Sequence, residues 1–457
     1  MQTVTTMLVA AISGRTLDDI PPTLVHESKR LLLDFLGVGL AGSQSDSGRI
    51  AASFAIEQAG PPQATLLGIG SRCDAGNAAF ANAIASHSVE LDDIDEEALF
   101  HHGPPIVAAA LAAAELANAS GAELLAAIVA GCESMTRLSQ ATNPELRNRG
   151  FHTTPTCGVF AAASAAGLLL GLSESQLVSA LGLAGAQASG LMEMYGPSMQ
   201  KRFNPGPAAR NGVTAALMAQ AGFTGADSII DGERGFARAF AGEFRRERFV
   251  AGLGESIPVT IEYKPYSCAR PIHNAIDAML SLRRQGLTAA DVEVVIAQRH
   301  PMWAHYHAIS RPRSFHEAQM SLPYSVALAL VNGRALPADY AQVGLGDDEV
   351  MGIAEKVVIE PDPDLARGVS CRVIVLTRSG QRVEAVVDHP LGSIERPLSD
   401  ELLAAKFISL AADAIGAVRA HDLMDQVWSI DTASSMTGLV ELLGPDQDSV
   451  PMTAGVR

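Results

Sequence analysis

Apolar residues recur at helical spacing along most of the first 260 positions. The run PPTLVHESKRLLLDFLGVGLAG (21–42) opens on proline, repeats apolar residues every three or four positions and ends on glycine, which predicts a helix. NAAFANAIASHSVELDD (77–93), PPIVAAALAAAELANAS (104–120) and GAELLAAIVAGCESMTRLSQA (121–141) follow with the same texture, and AARNGVTAALMAQAGF (208–223) closes the series. Two further runs, 154–171 and 173–192, are so rich in Ala, Leu and Gly that they predict helices buried on most faces. The texture changes near residue 258. PVTIEYKPY (258–266), VEVVIAQRH (292–300) and EKVVIEPD (355–362) predict strands. CRVIVLTRSGQRVEAVVDHP (371–390) predicts a hairpin about Ser379-Gly380. A helix, SLPYSVALALVNG (321–333), lies among them, and another follows from residue 400. The expected fold is mainly α, with a large all-helical domain (1–262 and 400–457) and a smaller α+β lid domain (263–399) inserted in it.

Composition narrows the function. Apolar residues make up 48% of the 457 and charged ones 18%, which excludes an intrinsically disordered chain. The net charge of −17 disfavours nucleic acid and anionic membranes as partners, so an acidic substrate needs a locally positive pocket. The five cysteines show no CxxC spacing, so neither a disulfide framework nor a zinc site is expected. The first residues lack a charged start before an apolar run, and the apolar window 159–172 is too short to span a bilayer. A cytoplasmic protein is expected.

Several segments carry candidate chemistry. HSVELDDIDEEALFHHG (87–103) brings Glu90, Asp92, Asp93, Asp95 and Glu96 close to His101 and His102 in a loop between helices. A histidine beside a carboxylate suits acid–base work, with His101 oriented by Glu90 or Asp93. A divalent-cation loop and a solvated helix cap are the other readings, and neither EF-hand nor HExxH spacing is present. RGFHTTPTCG (149–158) sets His152 at a helix start whose free N–H groups favour an anion, or else holds it as a core histidine. YGPSMQKRFNPGPAARNG (195–212) places Lys201 and Arg202 beside buried segments, for carboxylate recognition or for pairing with internal acids. YKPYSCARPIHNAIDAM (263–279) carries Lys264, Tyr266, Arg270 and His273 at the expected domain junction. His316 and Tyr324 follow in FHEAQMSLPYSVALAL, where Tyr324 opens a helix. A nucleotide-binding Rossmann unit is not expected, Walker spacing is absent, and no GxSxG stands in a strand–turn–helix context.

Taken together, LLLDFLGVGLAGS, ASHSVELDD, HHGPPIVAAALAAAE, GFHTTPTCGVFAAA, SMQKRFNPGPAARNG, GFTGADSIIDGERGF, YKPYSCARPIHNAID and SLPYSVALAL resemble the MmgE/PrpD family, in family order from about residue 30 to 330. The family includes 2-methylcitrate dehydratases, cis-aconitate decarboxylases and iminodisuccinate epimerases. The resemblance implies a homodimer with its active site in an interdomain cleft, working without metal or organic cofactor. Its site positions fall on Glu90, His101, His152, Lys201, Lys264 and Tyr324. The chain departs from the family pattern at Glu90 (usually Asp), at His101-His102-Gly103 (usually His-Pro-Gly), at Asn204 (often His) and at Pro207 (often Arg).

The implied chemistry is proton movement at a carbon beside a carboxylate. His101, His152, Tyr324, Glu90 and Lys264 form the expected catalytic set. Lys201, Arg202, Asp93, His102, Asn204 and Tyr266 form the expected substrate contacts. The leading expectation is a dehydratase acting on a hydroxy di- or tricarboxylate of the 2-methylcitrate type. An epimerase of an amino- or imino-dicarboxylate of the iminodisuccinate type, a cis-aconitate decarboxylase and a non-catalytic helical binding protein are the alternatives.

Overall fold

The computed structural model describes residues 2–194, 198–344, 347–366 and 368–446. Tyr195, Gly196 and Pro197, which open the Lys201 segment, lie outside the described residues, as do positions 447–457 of the expected helical domain. Helices dominate, and local chemistry sets their ends. Pro22 opens the helix Pro22–Ser43. Asp74 accepts the Asn77 N–H and caps Ala75–His87. Ser120 and Glu123 form a capping box that opens Gly121–Thr142, and Asn118, left-handed at φ 50°, ends the preceding helix Gly103–Ala117. Thr153–Leu169 is buried at every position except Leu168 and is the central post of the bundle. Glu174–Gly185, expected to be buried on most faces, buries one stripe only: Leu177, Ala180, Leu181, Gly182 and Ala184.

Glycine lets the helices touch backbone to backbone. A Cβ on Gly42 would stand 1.8 Å from the Ala85 carbonyl oxygen, so Pro22–Ser43 meets Ala75–His87 with no side chain between them. A Cβ on Gly212 would stand 2.7 Å from the Ala163 nitrogen, where Pro205–Gln220 crosses the central post.

Among the described residues two large apolar cores form, beside two small clusters around Leu91 and Val129. The larger draws on residues 4–263 and 398–443, the smaller on residues 266–375. Strands β1 (Ala64–Thr65) and β2 (Arg72–Cys73) pair antiparallel inside the helical part. The other four strands are β3 (Val292–Arg299), β4 (Val357–Pro361), β5 (Cys371–Thr377) and β6 (Arg382–Val387), in sheet order β4-β3-β5-β6. The pair β3/β4 is parallel and the rest antiparallel, with β5 and β6 forming the expected hairpin. PVTIEYKPY is not a strand: Glu262 alone pairs, bridging Ile94.

The expectation of an all-helical domain carrying a lid is corrected on two counts. The helical part contains the β1/β2 ladder. Two-residue strands are too short to show period-two alternation, so nothing in the pattern marked them. The 263–399 segment is also tied into the helical part by buried hydrogen bonds, unlike a detachable cover. Ser267 donates to the Val89 carbonyl, Arg270 bonds Glu96 and Glu262, and Gln319 donates to the Val89 carbonyl at 2.8 Å. The architecture is α-dominant with one four-stranded mixed sheet. Among the described residues, no helix is long and apolar enough to cross a membrane.

Candidate active site

The acidic segment links the end of Ala75–His87 to the start of Gly103–Ala117. Asp93 spends both carboxylate oxygens on that second helix, accepting the His102 N–H at 2.7 Å and the Gly103 N–H at 2.8 Å. This anchors the loop and turns its neighbours inward. Glu90 sits left-handed at φ 55° and is 1% exposed. Few side chains hold that backbone region without a compensating interaction.

Glu90 has such compensation. Lys201 donates to one of its carboxylate oxygens, and Arg202 donates to the other at 2.6 Å. Lys264 lies 3.6 Å from the first oxygen and donates to the Glu90 carbonyl at 3.3 Å. Burial pushes the Glu90 carboxyl up, but the three cations outweigh it and hold the group well below its ordinary range. Lys264 also stands 3.6 Å from Asp92. Three cations thus face two carboxylates, leaving a positive excess inside a chain of net charge −17. Burial lowers the Lys201 ammonium to about 8, against the pull of Glu90.

Asp92 is the second hub. One of its oxygens takes His87 Nδ1 at 2.7 Å and His101 Nδ1 at 3.1 Å. The two imidazoles meet edge to face, 4.9 Å apart. His101 Nδ1 also contacts the Asp93 carbonyl, so both of its neighbours are acceptors. Nδ1 must therefore carry the proton, which leaves Nε2 with a lone pair. His152 ends the next loop. It opens Thr153–Leu169, and its Nδ1 meets the Asn204 amide at 3.0 Å. Burial, with the charges of His87, His101 and Lys201, keeps His152 well below the usual imidazole value.

The structure therefore gathers Glu90, His101, His152, Lys201, Arg202, Lys264 and Asn204, with Lys201 and Arg202 in the internal acid pairing that was the alternative reading of their segment. Other candidates stand apart. His102 packs edge-on to Phe100 at 4.6 Å and reaches Thr136 at 3.3 Å. Tyr266 donates to Asp277. Tyr324, in the smaller core, donates to Asp347 at 2.6 Å. Sequence reasoning gave no role to His87, and none to Gln319, whose amide accepts Arg202 at 2.9 Å and donates to the Val89 carbonyl at 2.8 Å and Ser267 Oγ at 2.9 Å. His87 lies in the acidic segment 87–103, where it carries a signal; a lone glutamine carries none. His307 and His316 also border the cations. Burial, with Arg299 and Lys201, lowers His307 to about 3, and burial with Arg202 lowers His316 to about 4.

His87, Asp92 and His101 bring one ligand atom each within 4.8 Å of one another, a spacing that could hold a metal ion. The Lys264 ammonium beside Asp92 already supplies a cation, and both imidazoles point at one carboxylate oxygen. The trio reads as a hydrogen-bonded unit.

Comparison with known proteins fits this picture. The MmgE/PrpD N-terminal domain matches residues 7–248 and the MmgE/PrpD C-terminal domain matches 266–430. A cis-aconitate decarboxylase-like protein of Aspergillus oryzae is 30% identical, over 93% of this chain and 94% of its own length. A cis-aconitate decarboxylase of Aspergillus terreus is 29% identical over 94% of each. A 2-methylcitrate dehydratase of Salmonella typhimurium is 28% identical over 50% of this chain and 51% of its own. Fold, buried cluster and relatives define an enzyme of the lyase type. The chain belongs to the MmgE/PrpD family.

Proposed function

We propose that the protein is a lyase of small tricarboxylates that moves a proton at a carbon beside a carboxylate. The observation that carries this is the meeting of a free imidazole lone pair, His101 Nε2, with a locally positive group of Lys201, Arg202 and Lys264. A substrate carboxylate fits the positive excess, and the same cations spread the charge that develops when the neighbouring carbon loses a proton or CO2. In dehydration His101 acts as base on the carbon-bound proton, with Asp92 stabilising its charged form; in decarboxylation no C–H bond breaks, and an acid delivers one proton to carbon as CO2 departs. Lys201, its ammonium near 8, is the matching acid. His152 and Asn204 flank the substrate, and Glu90 holds the cations in register until it arrives.

Decarboxylation of cis-aconitate comes first among the possible reactions, because the relatives of that name match nearly the whole chain. Dehydration of a 2-methylcitrate-type acid is the second reading, favoured by relatives that match half of it. The sequence with its family resemblance puts the dehydratase first, the epimerase second and the decarboxylase third. A homodimer belongs to the same reading, and light scattering checks it.

Proton NMR in heavy water tests the proposal. Decarboxylation replaces the single vinyl signal of cis-aconitate by a methylene pair and releases CO2. Dehydration creates an alkene from a saturated acid. Exchange at the carbon without a new alkene signals epimerisation and sinks the lyase reading. So does the absence of any change with cis-aconitate, 2-methylcitrate and iminodisuccinate. Lys201→Ala and His152→Ala are each expected to abolish turnover in folded protein; full activity in either removes that residue from the mechanism.

A further inference from the structure

The inference drawn here rests on the reading of His101 as base and concerns what keeps it one. His87 is the last residue of Ala75–His87 and is fully buried. Its Nδ1 points at the same Asp92 oxygen that His101 uses, so it too must donate there. Its Nε2 then holds a lone pair and has no hydrogen-bond partner among the described residues. A buried polar atom left unpaired costs stability. An apolar side chain would fill the position without that cost, so packing alone does not account for an imidazole. The same ring lies edge-on against His101 and limits how it can turn.

We propose that His87 is a positioning residue for His101: by donating to Asp92 it fixes that carboxylate between the two imidazoles, so that His101 donates through Nδ1 and keeps Nε2 free for the substrate. Lys264 restrains the other Asp92 oxygen from the opposite side at 3.6 Å. With the His87 donor gone, one Asp92 oxygen loses its shortest partner and the carboxylate is free to rotate toward Lys264. His101 then keeps only the Asp93 carbonyl as an Nδ1 acceptor, and its other tautomer becomes populated.

The test compares His87→Phe, which keeps a ring but no donor, with His87→Asn, whose amide N–H stands where the imidazole Nδ1–H does. His87→Ala is made alongside in case the larger ring does not fit. The full-length protein is labelled with nitrogen-15 at histidine, and the His101 signals are assigned by their loss in His101→Gln. Wild type and His87→Asn are expected to show His101 as the Nδ1–H tautomer. His87→Phe or His87→Ala is expected to show a mixture, with kcat lower by about tenfold or more and KM within about twofold. A side chain that merely fills space would change stability without moving the tautomer. If His101 stays the Nδ1–H tautomer in all three variants, the proposal is overturned, whichever acid is the substrate. If the tautomer shifts while no acid is turned over, the positioning role stands and the lyase reading fails.

Discussion

Glu90 receives Lys201 on one carboxylate oxygen and Arg202 on the other, and all three side chains are buried. Removing a buried partner of this kind leaves charge uncompensated. Glu90→Gln keeps the shape and deletes the charge, so three cations face Asp92 alone. The expected cost is about 3 kcal/mol of stability at pH 7, read by urea denaturation. Citrate, acting as a counter-ion, should raise the melting temperature of this variant by more than it raises that of the wild type. An equal rise in both would show that citrate does not bind at these cations.

The contact between Gly42 and Ala85 connects the bundle to the site. A methyl group at Gly42 meets backbone, which cannot swing aside as a side chain can, and Ala85 lies two residues before His87. Gly42→Ala is expected to lose about 1–3 kcal/mol and to lower kcat, because the helix that carries His87 must shift. Urea denaturation paired with turnover checks both. Loss of stability with full turnover would separate the packing from the site.

Buried neutral histidines set the response to acid. Burial lowers His87 and the less buried His316 to about 4, lowers His307 to about 3, and holds His152 and His273 well below the ordinary imidazole value. At pH 5.5 these five stay neutral in the fold and take up protons on unfolding. Burial raises Asp34 to about 6 and Glu262 to about 7, so those two release protons on unfolding at the same pH. The balance is a net uptake of about two to three protons, which makes stability fall by about 3–4 kcal/mol per unit as pH drops through 5.5. The histidine contribution is fully present above about 6.5 and is lost toward about 4. Calorimetric unfolding in two buffers of different ionisation enthalpy reads the proton number directly. Net release at pH 5.5 would contradict the burial of these imidazoles.

The sequence revealed the helices because their apolar stripes and caps are local signals; Asp74, Pro22 and the Ser120–Glu123 box stand where the helices begin. It revealed the charged half of the site for a related reason: Glu90, His101, Lys201 and Lys264 occur in unusual strings of chemistry-bearing residues. It did not reveal geometry that depends on distant partners. Tyr324 looks like a phenol aimed at a cleft until Asp347 is seen to hold it. Asp93 looks like a ligand until it is seen capping Gly103–Ala117. His87 gains meaning only once Asp92 is known to bridge it to His101. The β1/β2 ladder is two residues long on each side and carries no periodicity to find.

Gln319 is the strongest case of a partner hidden from sequence, and it yields the sharpest separation of stability from binding. Its amide oxygen takes Arg202, and its amide nitrogen bonds Val89 and Ser267, so one neutral side chain joins the cation group to the acidic loop. Gln319→Leu strips both roles. An Arg202 N–H and the Val89 carbonyl lose a partner, for an expected loss of about 2–4 kcal/mol. Gln319→Glu behaves differently, because it keeps an acceptor for Arg202 and adds a negative charge that cancels the local positive excess. Its expected signature is a KM for the tricarboxylate raised by about tenfold, equivalent to about 1.4 kcal/mol, with a smaller loss of stability than in Gln319→Leu. An unchanged KM in Gln319→Glu would mean that Arg202 and its neighbours do not meet the substrate carboxylate, and the clamp would have to be sought elsewhere in the fold.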